Sequence, residues 1–342
     1  MYSTTGQGNL KKIQREPAVP TPVRSPYTDL ALEAHELAGG SSTKQLPGVV
    51  TMEEVRGPCR VTRVDILDDR GEMIMQKARG HYITIECPGL RQRSRVIDNA
   101  VVDVFASEFG ALLPPNREQV ILIVGLGNWN ATPDALGPRI VDAVMVTRHL
   151  WDYVPPELRG GLRPVAAIAP GVLGLTGIET GEIIQGIVSR VRPGLLVAID
   201  ALAAQNVERL LTTIQISDTG ISPGSGIGNR RMPINRESIG VPVIAVGVPT
   251  VVHAATLVSN TIDMVMERFG GSKTPYQPLQ GMSNRDRHDL INEVINARVG
   301  DLVVTPKEID VMIDQMSRII SGGISRAIHP DITDEDLAQY IQ

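Results

Sequence analysis

Val120-Ile121-Leu122-Ile123-Val124 is an unbroken run of five aliphatic residues, followed by Gly125-Leu126-Gly127-Asn128-Trp129-Asn130-Ala131-Thr132-Pro133-Asp134. Few folds accommodate that sequence of events. A run without polar alternation suits a strand covered on both faces, as in a parallel sheet, and the Gly, Asn and Pro residues after it carry the chain out of the sheet. The pattern recurs. Residues 165–169, 195–202 and 242–248 read as further buried strands, and each is followed by a segment with helical character. Strands alternating with helices predict an α/β fold of the phosphorylase/hydrolase-like kind, with a largely parallel twisted sheet, right-handed crossovers and helices on both faces. In such sheets chemistry gathers at the carboxyl ends of the strands, where Asp134 and Asp200 both fall.

The flanking segments read less sharply. Cys59 to Leu67 and His81 to Glu86 alternate as strands, with a hairpin expected across Asp68-Asp69-Arg70-Gly71. Val96, Ala100, Val101, Val104 and Phe105 predict a helix between Arg93 and Leu113, and a shorter one is expected around Asn206 to Leu211. A helix over residues 251–269 places His253 in its first turn. Residues 270–281 form a linker to satellite helices at 286–299, 306–320 and 334–341. The organisation expected is one α/β domain over 30–342, with its core at about 95–270 and a C-terminal helical part at about 283–342. Ahead of it lies a tail with Lys11, Lys12, Arg15 and Arg24 against Glu16 alone, four prolines and no hydrophobic periodicity, which reads as flexible. The folded part begins near Thr28, where Thr28 or Asp29 is placed to cap a helix carrying Leu30, Ala34 and Leu37.

Composition narrows the function. The net charge of −5 argues against a generally basic nucleic-acid surface, and 3% aromatics leaves little for base stacking. Cys59 and Cys87 lack CxxC spacing, so they read as small hydrophobes in a reducing, cytoplasmic compartment. No run of 18 apolar residues and no signal-peptide core is present, so neither a membrane nor export is expected.

Three readings of the site are open from the residues themselves. Gly125-Leu126-Gly127 invites a nucleotide-binding, Rossmann-like loop, but the third glycine of G-x-G-x-x-G falls at Asn130. Asp134 and Asp200, brought close on one sheet edge, are able to share a proton, one acting as base toward water while the other donates. His253 beside that pair would orient the water or complete a three-ligand metal site. The long aperiodic loop over 217–240 reads as functional, and its Arg230 and Arg231 are candidates for guiding an acidic substrate residue. Ser225 there lies outside any G-x-S-x-G elbow.

Several motifs in order resemble one family. They are Thr28-Asp29-Leu30-Ala31-Leu32-Glu33, Thr62-Arg63-Val64-Asp65-Ile66, Gly125-Leu126-Gly127-Asn128 with Pro133-Asp134-Ala135-Leu136-Gly137-Pro138, Thr176-Gly177-Ile178-Glu179-Thr180, Ile199-Asp200-Ala201-Leu202, Asp218-Thr219-Gly220-Ile221 and Gly247-Val248-Pro249-Thr250-Val251-Val252. From about residue 28 to the C-terminus the chain resembles the germination proteases of spore-forming bacteria. The resemblance implies a fold like that of hydrogenase-maturation endopeptidases and an endopeptidase acting on small acid-soluble spore proteins within the forespore or spore core. It also implies a homotetramer without cofactor or resident metal, made as a zymogen whose propeptide, residues 1–29, is removed by self-cleavage at Asp29-Leu30. The family's two essential aspartates fall on Asp134 and Asp200. Germination proteases commonly have aspartate after Pro-Thr-Val-Val, where this chain has His253, an auxiliary candidate.

Overall fold

The computed structural model describes residues 28–41, 45–151, 153, 161–222, 231–269 and 302–331. The tail before Thr28, Arg230, the linker at 270–281 and the helices expected at 286–299 and 334–341 lie outside the described residues. The first elements are α1 (Ala31–Leu37), β1 (Val49–Arg56), β2 (Cys59–Ile66), α2 (Asp69–Met75), β3 (Gly80–Glu86) and α3 (Arg95–Ala111). The middle contributes β4 (Ile121–Gly125), α4 (Leu136–Ala143), β5 (Val165–Ile168), α5 (Leu173–Thr176), α6 (Thr180–Val191), β6 (Leu195–Ala204) and β7 (Thr213–Ser217). Last come α7 (Arg236–Ile239), β8 (Val243–His253), α8 (Ala254–Phe269), β9 (Val303–Val304) and α9 (Ile309–Ile328).

Among the described residues, nine strands join one sheet in the order β1-β2-β3-β7-β8-β6-β4-β5, with β9 paired to the end of β8. Two halves meet at β8. Strands β8, β6, β4 and β5 are parallel, whereas β1, β2, β3 and β7 run antiparallel to one another, as does β7 to β8. The aliphatic runs form the parallel half because both faces are covered. Ile121 and Ile123 enter the core shared with α3, α4 and α9, while the alternate Leu122 and Val124 enter a second core with Ile184 of α6 and Ile239 of α7. Among the described residues, no helix is long and apolar enough to cross a membrane.

Several elements differ from expectation for identifiable reasons. Strands β2 and β3 do pair antiparallel, but α2 stands between them in place of a tight hairpin. Asp68 caps it, its Oδ1 accepting from the Arg70 and Gly71 amides at 3.0 Å each. β1 gave no signal because it is an edge strand with Met52, Glu53, Glu54 and Val55 exposed. The helix expected at 306–320 continues to Ile328 through Gly322-Gly323, and it is a wall of the core. A Cβ on Gly323 would stand 2.4 Å from the Phe105 ring, so the glycine is what lets α9 press against α3. Ile313, Ile320 and Ile324 are buried there, each contributing about 1.5–3 kcal/mol. The helix expected around Asn206 to Leu211 shrinks to a single 3-10 turn, Val207–Arg209.

At the start of the described chain, Leu30 is the residue flanking α1 and no side chain caps the helix. Thr28 instead donates to the Glu33 carboxylate and accepts from the Leu30 amide at 3.1 Å. The expected apolar face is also rotated, since Leu37 is exposed while Leu30, Ala31, Leu32 and Glu33 are buried.

Candidate active site

Asp134 closes a 3-10 turn, Thr132–Asp134, between the loop after β4 and α4. The glycines of that loop make close approaches. Gly127 has φ +115°, and a Cβ on it would lie 2.0 Å from the Asp134 carbonyl oxygen; a Cβ on Gly125 would lie 2.2 Å from that of Gly137. The loop is folded closely onto Asp134 and the start of α4. The Asn128 amide donates to Asp134 Oδ2 at 2.8 Å and to its carbonyl oxygen at 3.1 Å, fixing the side chain.

Asp200 lies within β6 and not at its end, because β6 outruns its neighbour. Gly125 at the end of β4 pairs with Ile199, so Asp200 is the next residue on and projects past the edge of β4. On its other side it pairs with Gly247 of β8. Asp200 is buried, 7% exposed as a residue, and its Oδ1 accepts from the Ala201 amide at 2.9 Å.

The two aspartates line one cavity of about 370 Å³, together with Asp29, Arg231, Thr180, Thr250, Ala201, Leu202 and Ala203. Burial, then the neighbouring Asp134 charge, hold the Asp200 carboxyl well above the usual carboxylate range. Asp134 is also raised, chiefly by burial, but the Asn128 amide and the Arg231 guanidinium favour its charged form. Two carboxyls that repel across a shared low-dielectric space lose their protons in separate steps, and the buried partner is the one that keeps its proton longer.

Asp29 enters this cavity from the other end of the chain. Its Oδ2 accepts from the Ala203 amide at 2.9 Å, and its own amide reaches the Ala203 carbonyl at 3.4 Å. Leu30 is fully buried in a cluster with Leu202, Ala204, Leu210 and Val252. Glu33 accepts from the amides of Gln205 at 2.8 Å and Asn206 at 3.0 Å and pairs with Arg209 at 3.2 Å. Arg209 also binds Glu36 and Glu86. The Asp29-Leu30 peptide is thus moored on both sides.

Of the sequence candidates, Asp29, Asp134, Asp200 and Arg231 come together, with Leu30 alongside. Arg230 lies outside the described residues. His253 is the last residue of β8, where it pairs with Val303; the β-branched Val251 and Val252 continue the strand where a helix was expected. His253 does not line the cavity, and among the described residues no group of three His, Cys, Asp or Glu side chains is placed to hold a metal ion. Reasoning from sequence missed Lys77, Gln215, Glu33 and Arg209. Gln215 carried a signal, a polar residue inside the aliphatic strand Thr213-Ile214-Gln215-Ile216; Lys77 carried none.

The germination protease family model matches residues 28–278 and 277–341. The chain belongs to the germination protease family. It is 49% identical over 318 residues to the germination protease of Caldanaerobacter subterraneus subsp. tengcongensis, spanning 92% of this chain and 97% of that one. The germination protease of Clostridium tetani is 45% identical over 92% of this chain and 98% of its own length. Among solved structures, a [NiFe] hydrogenase maturation protease from Thermococcus kodakarensis KOD1 is similar over 42% of this chain and 80% of its own, with 18% identity and a TM-score of 0.28. Membership of the germination protease family makes the protein a peptidase, a hydrolase of peptide bonds.

Proposed function

We propose that this peptidase is an endopeptidase made as a zymogen, that it cuts its own Asp29-Leu30 bond, and that it then initiates degradation of small acid-soluble spore proteins in the spore core as a homotetramer. The observation that carries the reading is that Asp29 lines the cavity of Asp134 and Asp200 while Leu30 is anchored beside it. In the reaction, ionised Asp134 takes a proton from water, and the water oxygen bonds to the Asp29 carbonyl carbon. Asp200, kept protonated by burial and by its neighbour, gives its proton to the Leu30 nitrogen as the C–N bond breaks. Asp29 leaves with a new carboxylate and Leu30 with a free amine.

The moorings supply specificity. A substrate carrying Thr-Asp-Leu-Ala-Leu-Glu, or its chemical equivalent, places an apolar residue after the cut in the Leu30 pocket and a carboxylate four residues past the cut acid on the Gln205 and Asn206 amides.

The test is mass spectrometry of the incubated full chain. The unaltered chain loses residues 1–29, whereas Asp134→Asn and Asp200→Asn stay intact with unchanged circular dichroism. Processing at the full rate in either variant removes that aspartate from the mechanism. Light scattering at four times the chain mass supports the tetramer, and a lone chain rejects it.

A further inference from the structure

The Asp29-Leu30 peptide has a second set of contacts, made by groups other than the aspartates. The carbonyl oxygen of Asp29, the one that becomes negative when water adds, accepts from Lys77 Nζ at 3.0 Å and from Gln215 Nε2 at 3.2 Å. Lys77 also reaches the Thr28 carbonyl at 3.3 Å. Gln215 grips both sides of the bond, since its Oε1 accepts from the Ala31 amide at 2.6 Å while its NH₂ donates to Asp29. The Ala31 N–H has to meet the amide oxygen, which leaves the nitrogen facing the carbonyl.

The sheet places Gln215 across Gly247 from Asp200. Gly247 of β8 pairs with Asp200 on one side and with Gln215 on the other, so the three stand in one row across β6, β8 and β7. Directly paired residues project from the same face, and two interstrand spacings separate Asp200 from Gln215 by roughly 10 Å between Cα atoms. Gly247 leaves the middle of the row without a side chain. Leu202 lies over it, 2.3 Å from where a Cβ would stand, and Leu30 belongs to the same cluster as Leu202. Asp29 borders both spaces, the cavity holding the aspartates and an adjoining one of about 210 Å³ lined by Lys77 and Gln215. Lys77 is presented by a sharp turn after α2, where Gln76 takes φ 52° and Tyr82 Oη holds the Ala78 carbonyl at 2.8 Å.

We propose that Lys77 and Gln215 are catalytic residues that stabilise the oxyanion formed at the Asp29 carbonyl, the electrophilic counterpart of the aspartate pair. The inference rests on self-cleavage at Asp29-Leu30. When the water oxygen bonds to the carbonyl carbon, the C=O π pair moves onto oxygen. Lys77 then faces a full negative charge where it had faced a dipole, so its contact strengthens in the transition state. As the intermediate collapses, that pair re-forms the C=O bond and the C–N pair leaves with the Leu30 nitrogen. Neither Lys77 nor Gln215 gives up a proton overall.

The experiment is the first-order rate of conversion of the full-length chain, read by intact mass, for the unaltered chain and for Lys77→Met, Lys77→Arg and Gln215→Leu, across pH 5 to 11. Removing an oxyanion donor costs about 10²–10³ in rate, and that loss is expected in Lys77→Met and Gln215→Leu, with Lys77→Arg recovering most of it. The pH limb separates catalysis from scaffolding. Burial lowers the Lys77 ammonium, against the opposing charges of Asp29 and Glu33, so conversion falls on the alkaline side at a pH below the ordinary lysine value. Lys77→Arg moves that limb upward. The inference is overturned if the unaltered chain converts while Lys77→Met keeps pace within twofold, or if Lys77→Arg leaves the alkaline limb in place. The limb of the unaltered chain needs no substitution, and its absence counts against Lys77 even where a variant does not fold. An unaltered chain that never cuts at Asp29-Leu30 defeats the proposed function itself, and the inference falls with it.

Discussion

Asp200 and Gln215 flank the same glycine, one on a strand with helices over both faces and the other on a strand of the antiparallel half. The parallel half supplies acids. Its aliphatic strands lead to the place where Asp134 and Asp200 line one cavity. The antiparallel half supplies Lys77 and Gln215, facing the carbonyl of the same peptide. Burial makes ionisation costly for the acids and for the Lys77 ammonium alike, but the donors are set by turn geometry and a strand register. The proposed active site, assembled across this seam, has its acid–base pair and its oxyanion donors on structurally separate supports, and substitutions on the two sides have different signatures.

The largest of these effects is expected at Asp200. Its pKa is raised in the folded chain above the unfolded value, so the native state holds the proton more tightly. The stability this contributes is present at low pH and is lost as pH rises through the folded value. At pH 7 to 8, Asp200→Asn removes the tension while abolishing cleavage. Its melting temperature is expected to rise by at least about 2 °C, and a scanning calorimetry trace in which it falls breaks the assignment of Asp200 as a strained carboxyl.

Gly127→Ala comes next. The new Cβ meets the Asp134 carbonyl oxygen at 2.0 Å from a backbone at φ +115°, so the loop must move and take Asp134 with it. Loss of at least about 10-fold in cleavage rate is expected, with a stability loss of about 1–3 kcal/mol in urea titration. A variant with full activity would show that the loop is not what positions Asp134.

Arg231→Gln tests the electrostatics more gently. Arg231 favours the charged form of both aspartates, so its removal raises both carboxyls further. The acid limb of the cleavage profile is expected to move to higher pH, with the maximal rate changed by less than about 10-fold. A shift to lower pH reverses the sign and removes Arg231 from the pair's surroundings.

The two halves also differed in how far they could be read from sequence. Ile121 to Val124 announced a strand because helices on both faces demand continuous aliphatic residues, and that logic located Asp134 and Asp200. β1 announced nothing, because an edge strand exposed along Met52-Glu53-Glu54-Val55 needs no hydrophobic pattern. His253 was misplaced because the β-branched Val251 and Val252 are taken by pairing with β6 and β9, a partnership that depends on chain fifty residues further on. Lys77 was invisible for a different reason. Its role comes from a left-handed turn at Gln76 and from where Thr28 and Asp29 are anchored, neither of which is a property of its own sequence neighbourhood.

The smallest effect sharpens the contrast from the far edge. Met52 is 53% exposed on β1, at the outer margin of the antiparallel half and separated from β7 by two strands. Met52→Thr keeps strand propensity and touches neither the core nor the row through Gly247. Stability is expected to change by less than about 0.5 kcal/mol and the self-cleavage rate by less than twofold. The antiparallel half is one continuous ladder: Met52 pairs with Arg63, Arg63 with Ile83, and Ile83 with Ile216, the neighbour of Gln215. If the Gln215 donor is held by its own contacts with Ala31 and Asp29, a change three strands away leaves it in place. If Met52→Thr slows cleavage several-fold with stability unchanged, the donor's position is set by the whole ladder, and the antiparallel half acts as a single lever on the scissile carbonyl.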